Sequence, residues 1–192
     1  MKTAYIRGKY LDKVKPFIGK SIIKVLTGQR RVGKTTILIQ IIDFIKQEDK
    51  NAHVIYINKE HNDFKFIKEA EDLFQYVKSK LSKNKTNYVF IDEIQEINEF
   101  EIALRQMLVE GIDLYCTGSN AKMLSGDLAT HLSGRFIEFH ISSLSFNEFL
   151  QIHKLENNND ALNKYIRYGG MPYLIHLPFD DEIVYGYLKS IY

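Results

Sequence analysis

The sequence predicts an α/β fold, a mostly parallel five-stranded sheet with helices on both faces, on three observations. Five short apolar runs rich in β-branched and aromatic residues recur along the chain, as buried strands require. Segments of helical period separate them, and strands joined through helices call for right-handed crossovers and parallel pairing. A composition of 45% hydrophobic and 26% charged residues over 192 residues supplies one sizeable core rather than a disordered or membrane-embedded chain.

Taken in order, residues 2–18 place Tyr10, Leu11, Val14 and Ile18 on one side, which predicts a helix disturbed by Pro16. The runs SIIKVLT (21–27), HVIYIN (53–58), NYVFID (87–92), IDLYCTGS (112–119) and FIEFHI (136–141) are the expected strands. Between the first two, residues 35–47 set Leu38, Ile41, Ile42 and Ile45 at helical spacing, so one stripe packs on the sheet. A further helix is expected around Asp72. After Asn98, read as an N-cap, Phe100, Ala103, Leu104, Met107 and Leu108 repeat the pattern. Beyond Ser145 the strands stop, and SFNEFLQIHKL, ALNKYIRY, a GGMP turn and a last helical run from Asp181 form a small helical annex. The division expected is a core over residues 1–144 and an annex over 145–192. The last run reaches Tyr192 without a cap or breaker, the pattern expected of a domain cut from a longer protein.

Several function classes recede on composition. The net charge of +2 is the small difference between 26 basic and 24 acidic residues, and no like-charge run points to nucleic acid or a membrane surface. The single cysteine, Cys116, lies in an apolar strand and is expected to be a buried thiol. The N-terminus is too polar for a secretion signal, and no apolar stretch reaches the roughly 20 residues a bilayer requires. A cytoplasmic protein without membrane partners is expected. The six histidines show no HxxxH or HExxH spacing, so no transition-metal site is indicated. The twelve Tyr and twelve Phe fall mostly at core spacings and need not be base-stacking platforms.

The decisive motif is Gly28-Gln29-Arg30-Arg31-Val32-Gly33-Lys34-Thr35, followed by Thr36, between a strand and a helix. It fits GxxxxGK[ST]. Its glycines let successive backbone N–H groups face a phosphate, and the helix that follows adds about half a positive charge at its start. Lys34 then reaches the β and γ phosphates, and the Thr35 hydroxyl can ligate Mg²⁺. Arg30 and Arg31 can contact phosphate or face solvent. The expected architecture becomes the three-layer P-loop NTPase fold, with ATP and Mg²⁺ as cofactors.

The second element is the strand Tyr88-Val89-Phe90-Ile91 ending in Asp92 and Glu93. Its carboxyl end is where open α/β sheets put their ligands, so Asp92 can hold Mg²⁺ through its water shell. A carboxylate at Glu93 can orient and deprotonate a water for attack on the γ-phosphate. The strand order expected is one in which another strand stands between the P-loop strand and the Asp-Glu strand. Ser119 or Asn120, at the end of a later strand, would then lie near the γ-phosphate, unless they form only a strand-ending turn. Asn58-Lys59-Glu60 is not a guanine-reading NKxD, because His61 stands where the Asp belongs. Asn58 is either a polar partner of Glu93 or an ordinary strand end.

TGQRRVGKTTIL, YVFIDEIQEI, YCTGSNAKMLSGDLATHLSGR, SLSFNEFL and YGGMP together resemble the prokaryotic AAA-type ATPases whose ATPase domain precedes a C-terminal domain of unknown function. The resemblance spans residues 7–192. It implies the AAA+ superfamily, with Gly28, Gly33, Lys34 and Thr35 on phosphate and Mg²⁺, Asp92 and Glu93 on metal and water, and Ser119 and Asn120 as sensors. It further implies that Arg135, in LSGR, approaches a neighbouring subunit's γ-phosphate in a homo-oligomer; the alternative is a surface residue at a strand start. Arg167, before GGMP, is a weaker nucleotide-sensing candidate. The C-terminal domain it implies, absent here, would carry a protein or DNA partner.

Three activities remain open at this point. The leading one is hydrolysis of ATP to ADP and phosphate by an AAA+-type motor or switch domain. A second is an ATP-gated switch or scaffold with negligible turnover, acting on a protein or DNA partner. The third, a small-molecule kinase, lacks an arginine-rich lid segment.

Overall fold

The computed structural model describes residues 5–118 and 132–191. The five apolar runs form β1 (Ile23–Thr27), β2 (Ala52–Asn58), β3 (Thr86–Asp92), β4 (Asp113–Thr117) and β5 (Phe136–His140), in one sheet of order β2-β3-β4-β1-β5. Every pairing is parallel, so the sheet is wholly rather than mostly parallel. As expected, β4 stands between the P-loop strand β1 and the Asp-Glu strand β3. The strands start or stop one or two residues inside or outside the apolar runs, because pairing with a neighbour decides the ends.

Period-two alternation sends successive residues to opposite faces and builds two cores. Val25, Val89, Ile91, Leu114 and Cys116 pack on one face against α3 (Ala70–Lys80) and α4 (Phe100–Val109). Leu26, Phe90, Tyr115 and Phe139 pack on the other against α1 (Gly8–Val14) and α2 (Lys34–Glu48). The predicted stripe of α2 is buried: Leu38 and Ile41 are fully inaccessible, with Ile42 and Ile45 nearly so. Each such side chain contributes roughly 1.5–3 kcal/mol. Cys116 is buried, and desolvation pushes its thiol up to about 12.

Among the described residues the first helix covers Gly8–Val14, and Pro16, which has no N–H to donate, disturbs it as expected, in a 3₁₀ turn at Lys15–Phe17. One sequence expectation changes. Asn98 does not cap α4. Glu99 is the N-cap residue, in left-handed conformation, while the Asn98 amide donates to Glu69 Oε1 at 2.8 Å.

Lys24 is completely buried in β1, which apolar patterning did not anticipate. Its ammonium donates to the Lys20 carbonyl at 3.0 Å and pairs with Asp113 of β4, which also accepts from Tyr115 Oη at 2.9 Å and Gly19 N–H at 2.8 Å. Burial lowers the Lys24 pKa, and Asp113 opposes that. Because a lone charge here would be strongly unfavourable, the pair fixes the register of β1 on β4.

The annex comprises α5 (Phe146–His153), α6 (Asn159–Tyr168) and α7 (Asp181–Lys189). Ser145 and Glu148 form a capping box at the start of α5. Leu144 N–H donates to the Gly170 carbonyl at 2.7 Å, pinning the GGMP turn back to the end of the core. Tyr168, Met171, Leu174 and Val184 join the cluster that holds α2, which brings the turn up to the P-loop.

Candidate functional site

The loop after β1 is shaped by two glycines. Gly28 has φ 141°, and a Cβ there would lie 2.2 Å from the Ile141 carbonyl oxygen, so only glycine lets the chain pass the end of β5. Gly33, at φ 96°, turns the loop into α2, whose first turn has no side-chain cap. The uncapped N–H groups and the helix dipole therefore face the loop. Arg31 is also left-handed, at φ 65°.

Lys34 is 4% exposed and folds back to donate to the carbonyls of Gly28 and Gln29, each at 3.1 Å. Burial lowers its pKa, while Glu93 and Asp92 pull in the opposite direction. An ammonium so placed is a dry cation bordered by two carboxylates.

Above the loop lies an open cleft of about 1330 Å³. Arg30, Arg31, Val32, Gly33, Lys34, Thr35 and Thr36 form its floor, and Glu60 and Glu93 its sheet-side wall. Tyr5 and Arg7 border it from the N-terminal segment, and Pro172, Tyr173 and His176 from the annex.

The carboxylates of the Asp-Glu strand are held by neighbours. Asp92 is fully buried, and its two oxygens accept from the hydroxyls of Thr117 and, at 3.4 Å, Tyr56. Desolvation, and then the charge of Asp92, push Tyr56 up to about 12, so it remains a donor. Glu93 adopts φ 56° and ψ 52°, and its N–H donates to Thr117 Oγ1 at 3.0 Å. A strand that ends in a left-handed residue turns sharply, which brings the Glu93 side chain to the cleft while Asp92 stays in the sheet.

A glycine-turned loop, a buried lysine and an Asp-Glu strand end thus converge at the carboxyl edge of one parallel sheet. The family model of the AAA domain matches residues 20–150. The chain belongs to that family. An uncharacterized protein of Haemophilus influenzae is 34% identical over 99% of this chain and 50% of its own length. The chain spans about half the length of the curated relatives it matches, or less. Among solved structures, the Aeropyrum pernix ORC1 protein in complex with DNA superposes with a TM-score of 0.62 at 12% identity, over 98% of this chain and 66% of that one. The replication initiator DnaA bound to AMPPCP and single-stranded DNA gives 0.58 at 15% identity, over 95% and 64%. These likenesses show the fold, a P-loop α/β fold of the AAA+ kind.

Not every expected site residue of the AAA domain meets at the cleft. Ser119 and Asn120 lie outside the described residues. Arg135 is exposed, and its carbonyl accepts the Ile23 N–H at 2.9 Å, at the amino end of β1. β5 runs parallel to β1, so Arg135 stands at the sheet edge opposite the P-loop, about 16 Å away along five strand residues. Its side chain cannot reach its own Lys34. Arg167 does not border the cleft of the AAA domain. It is paired with Asp181, which raises its pKa through that hydrogen bond and charge. Asn58 Oδ1 accepts the Glu60 N–H at 2.9 Å, an ordinary strand-end turn.

Four residues escaped the sequence reading. Thr117 and Tyr56 hold Asp92, Gln95 donates to Glu93, and Arg7 joins distant segments. Arg7 is 5% exposed, pairs with Glu148 at 2.8 Å and donates to the carbonyls of Val32 (3.2 Å) and Ser142 (3.0 Å). It thereby ties the N-terminal segment, the P-loop and the annex together. A polar residue closing the apolar run of β4 was the available signal for Thr117, whereas nothing local pairs Arg7 with Glu148.

Proposed function

We propose that this AAA domain binds ATP with Mg²⁺ in the cleft and hydrolyses it to ADP and phosphate. The observation that carries this reading is that Glu93 and Lys34 line one cleft, with Asp92 buried behind them. The P-loop N–H groups and Lys34 would take the phosphates, with Gly28 and Gly33 giving the loop its close approach. Thr35, which lines the cleft, and Asp92, buried behind it, are residues with the hard oxygen donors that suit Mg²⁺, Asp92 through the ion's water shell, and the ion would neutralise charge on the phosphates.

Glu93 would accept a proton from a water whose oxygen forms a bond to the γ-phosphorus. As that bond forms, the bond from the γ-phosphorus to the bridging oxygen breaks, and the electron pair leaves with ADP. Ser119 and Asn120 come after Gly118 at the end of β4, which pairs with β3, and are proposed as polar contacts to the γ-phosphate. Arg135, turned away from its own P-loop, is proposed to complete the site of a neighbouring copy. The same placement favours a second reading for an isolated chain, in which it binds ATP as a switch with negligible turnover.

What the cycle drives is proposed as a conformational change read by a protein or DNA partner. The test uses two variants. Lys34→Ala is expected to lower ATP affinity at least a hundredfold, and Glu93→Gln to bind ATP like the parent while releasing no phosphate. Parental affinity in the first variant would refute the site assignment.

A further inference from the structure

Gln95 is a residue that neither the P-loop chemistry nor the sequence pattern assigns. It lies in the 3₁₀ turn Ile94–Glu96 that follows Glu93, a turn anchored by Ile94 and Ile97, which are 0% and 1% exposed. Its Nε2 donates to Glu93 Oε2. With Nε2 as the donor, the other end of the Gln95 amide points away from Glu93. The amide oxygen, Oε1, is then buried with no hydrogen-bond partner among the described residues. Glu93 borders the cleft and Gln95 does not, so the amide holds the carboxylate from behind.

An orphaned acceptor is unfavourable, and an apolar side chain of similar length would avoid it. The position therefore carries a group that is poor for stability and useful only through its donor. We infer that Gln95 is a positioning residue that fixes the rotamer of Glu93, so that one carboxylate oxygen is tied back and the other faces the attacking water. The backbone is set independently, by the bond from Glu93 N–H to Thr117, which leaves side-chain rotation as the remaining freedom. This inference rests on Glu93 being the base that activates water.

The test compares Gln95→Met, Glu93→Gln and the parent by three readouts: ATP affinity, thermal midpoint, and affinity for ADP with Mg²⁺ and aluminium fluoride, which mimics the in-line transition state and needs no turnover. Gln95→Met is expected to keep ATP affinity within about twofold and an equal or higher midpoint. Its affinity for the mimic, and kcat where phosphate release is measured, should fall about 10- to 100-fold, the scale of a misplaced reacting group. Parental affinity for the mimic in Gln95→Met, with Glu93→Gln impaired, overturns the positioning role alone. Parental behaviour of Glu93→Gln overturns the base assignment beneath it. A Gln95→Met variant that loses midpoint and ATP affinity together would show a merely structural residue and also overturn the inference.

Discussion

Thr117, the last residue of β4, gives its hydroxyl hydrogen to Asp92 of β3 and accepts the backbone N–H of Glu93. One buried hydroxyl thus fixes the side chain of the first carboxylate and the left-handed backbone of the second. Thr117→Val keeps the shape and removes both bonds. It is expected to cost roughly 1–3 kcal/mol in denaturant unfolding, the penalty of leaving buried partners unsatisfied. ATP turnover should fall further than ATP affinity.

Gly28→Ala tests the loop geometry. The added methyl would meet the Ile141 carbonyl at 2.2 Å in a backbone conformation that side chains rarely adopt. The expected cost is roughly 2–5 kcal/mol, combining strain and overpacking, with loss of nucleotide binding. Calorimetric binding and thermal unfolding measure the two effects separately.

Glu148 predicts an acid-sensitive clamp. Burial alone would raise its carboxyl, but hydrogen bonds from Arg7, Ser145 and Lys9 outweigh that and hold it at about 2, below the ordinary 4.5. Because the folded value is the lower one, the contribution is complete above about 4.5 and is lost as pH falls toward about 2. That shift corresponds to roughly 3 kcal/mol. Glu148→Ala would leave Arg7 as an uncompensated buried charge and should cost about 3–5 kcal/mol at neutral pH. In the variant, the loss of stability between pH 4.5 and 2 should be visibly shallower in urea titrations than in the parent.

Arg135 predicts complementation between copies. Lys34→Ala and Arg135→Ala should each lack turnover alone. Mixed in one assembly, they should recover a fraction of the parental rate, because some sites would combine an intact Lys34 with a neighbour's intact Arg135. Co-assembly without recovery would contradict action between subunits.

The sheet was legible because its central strands β1, β3 and β4 are buried and read as nearly continuous apolar runs, and because the amphipathic pattern of α2 follows β1 directly. The P-loop was legible because phosphate binding by backbone imposes glycine spacing that few other turns need. Thr117, Gln95 and Tyr56 were harder to see, since each acts through a partner brought close by sheet order or by one tight turn. Lys24 contradicted the apolar pattern of β1 because Asp113, its partner, is remote in sequence and adjacent only after β4 pairs with β1. The Glu99 cap shows how local backbone conformation overrides a plausible capping residue. Arg167, beside the GGMP turn, pairs with Asp181 of α7 and does not border the cleft, a contact that sequence cannot show because the two residues meet only when α7 folds beside α6.

The most direct test is Mg²⁺-dependent phosphate release from ATP by the 192-residue chain and by Glu93→Gln, measured across a wide range of protein concentration. Release per molecule that rises with concentration in the parent and vanishes in the variant is the predicted result. Release at the parental rate by Glu93→Gln would contradict the account.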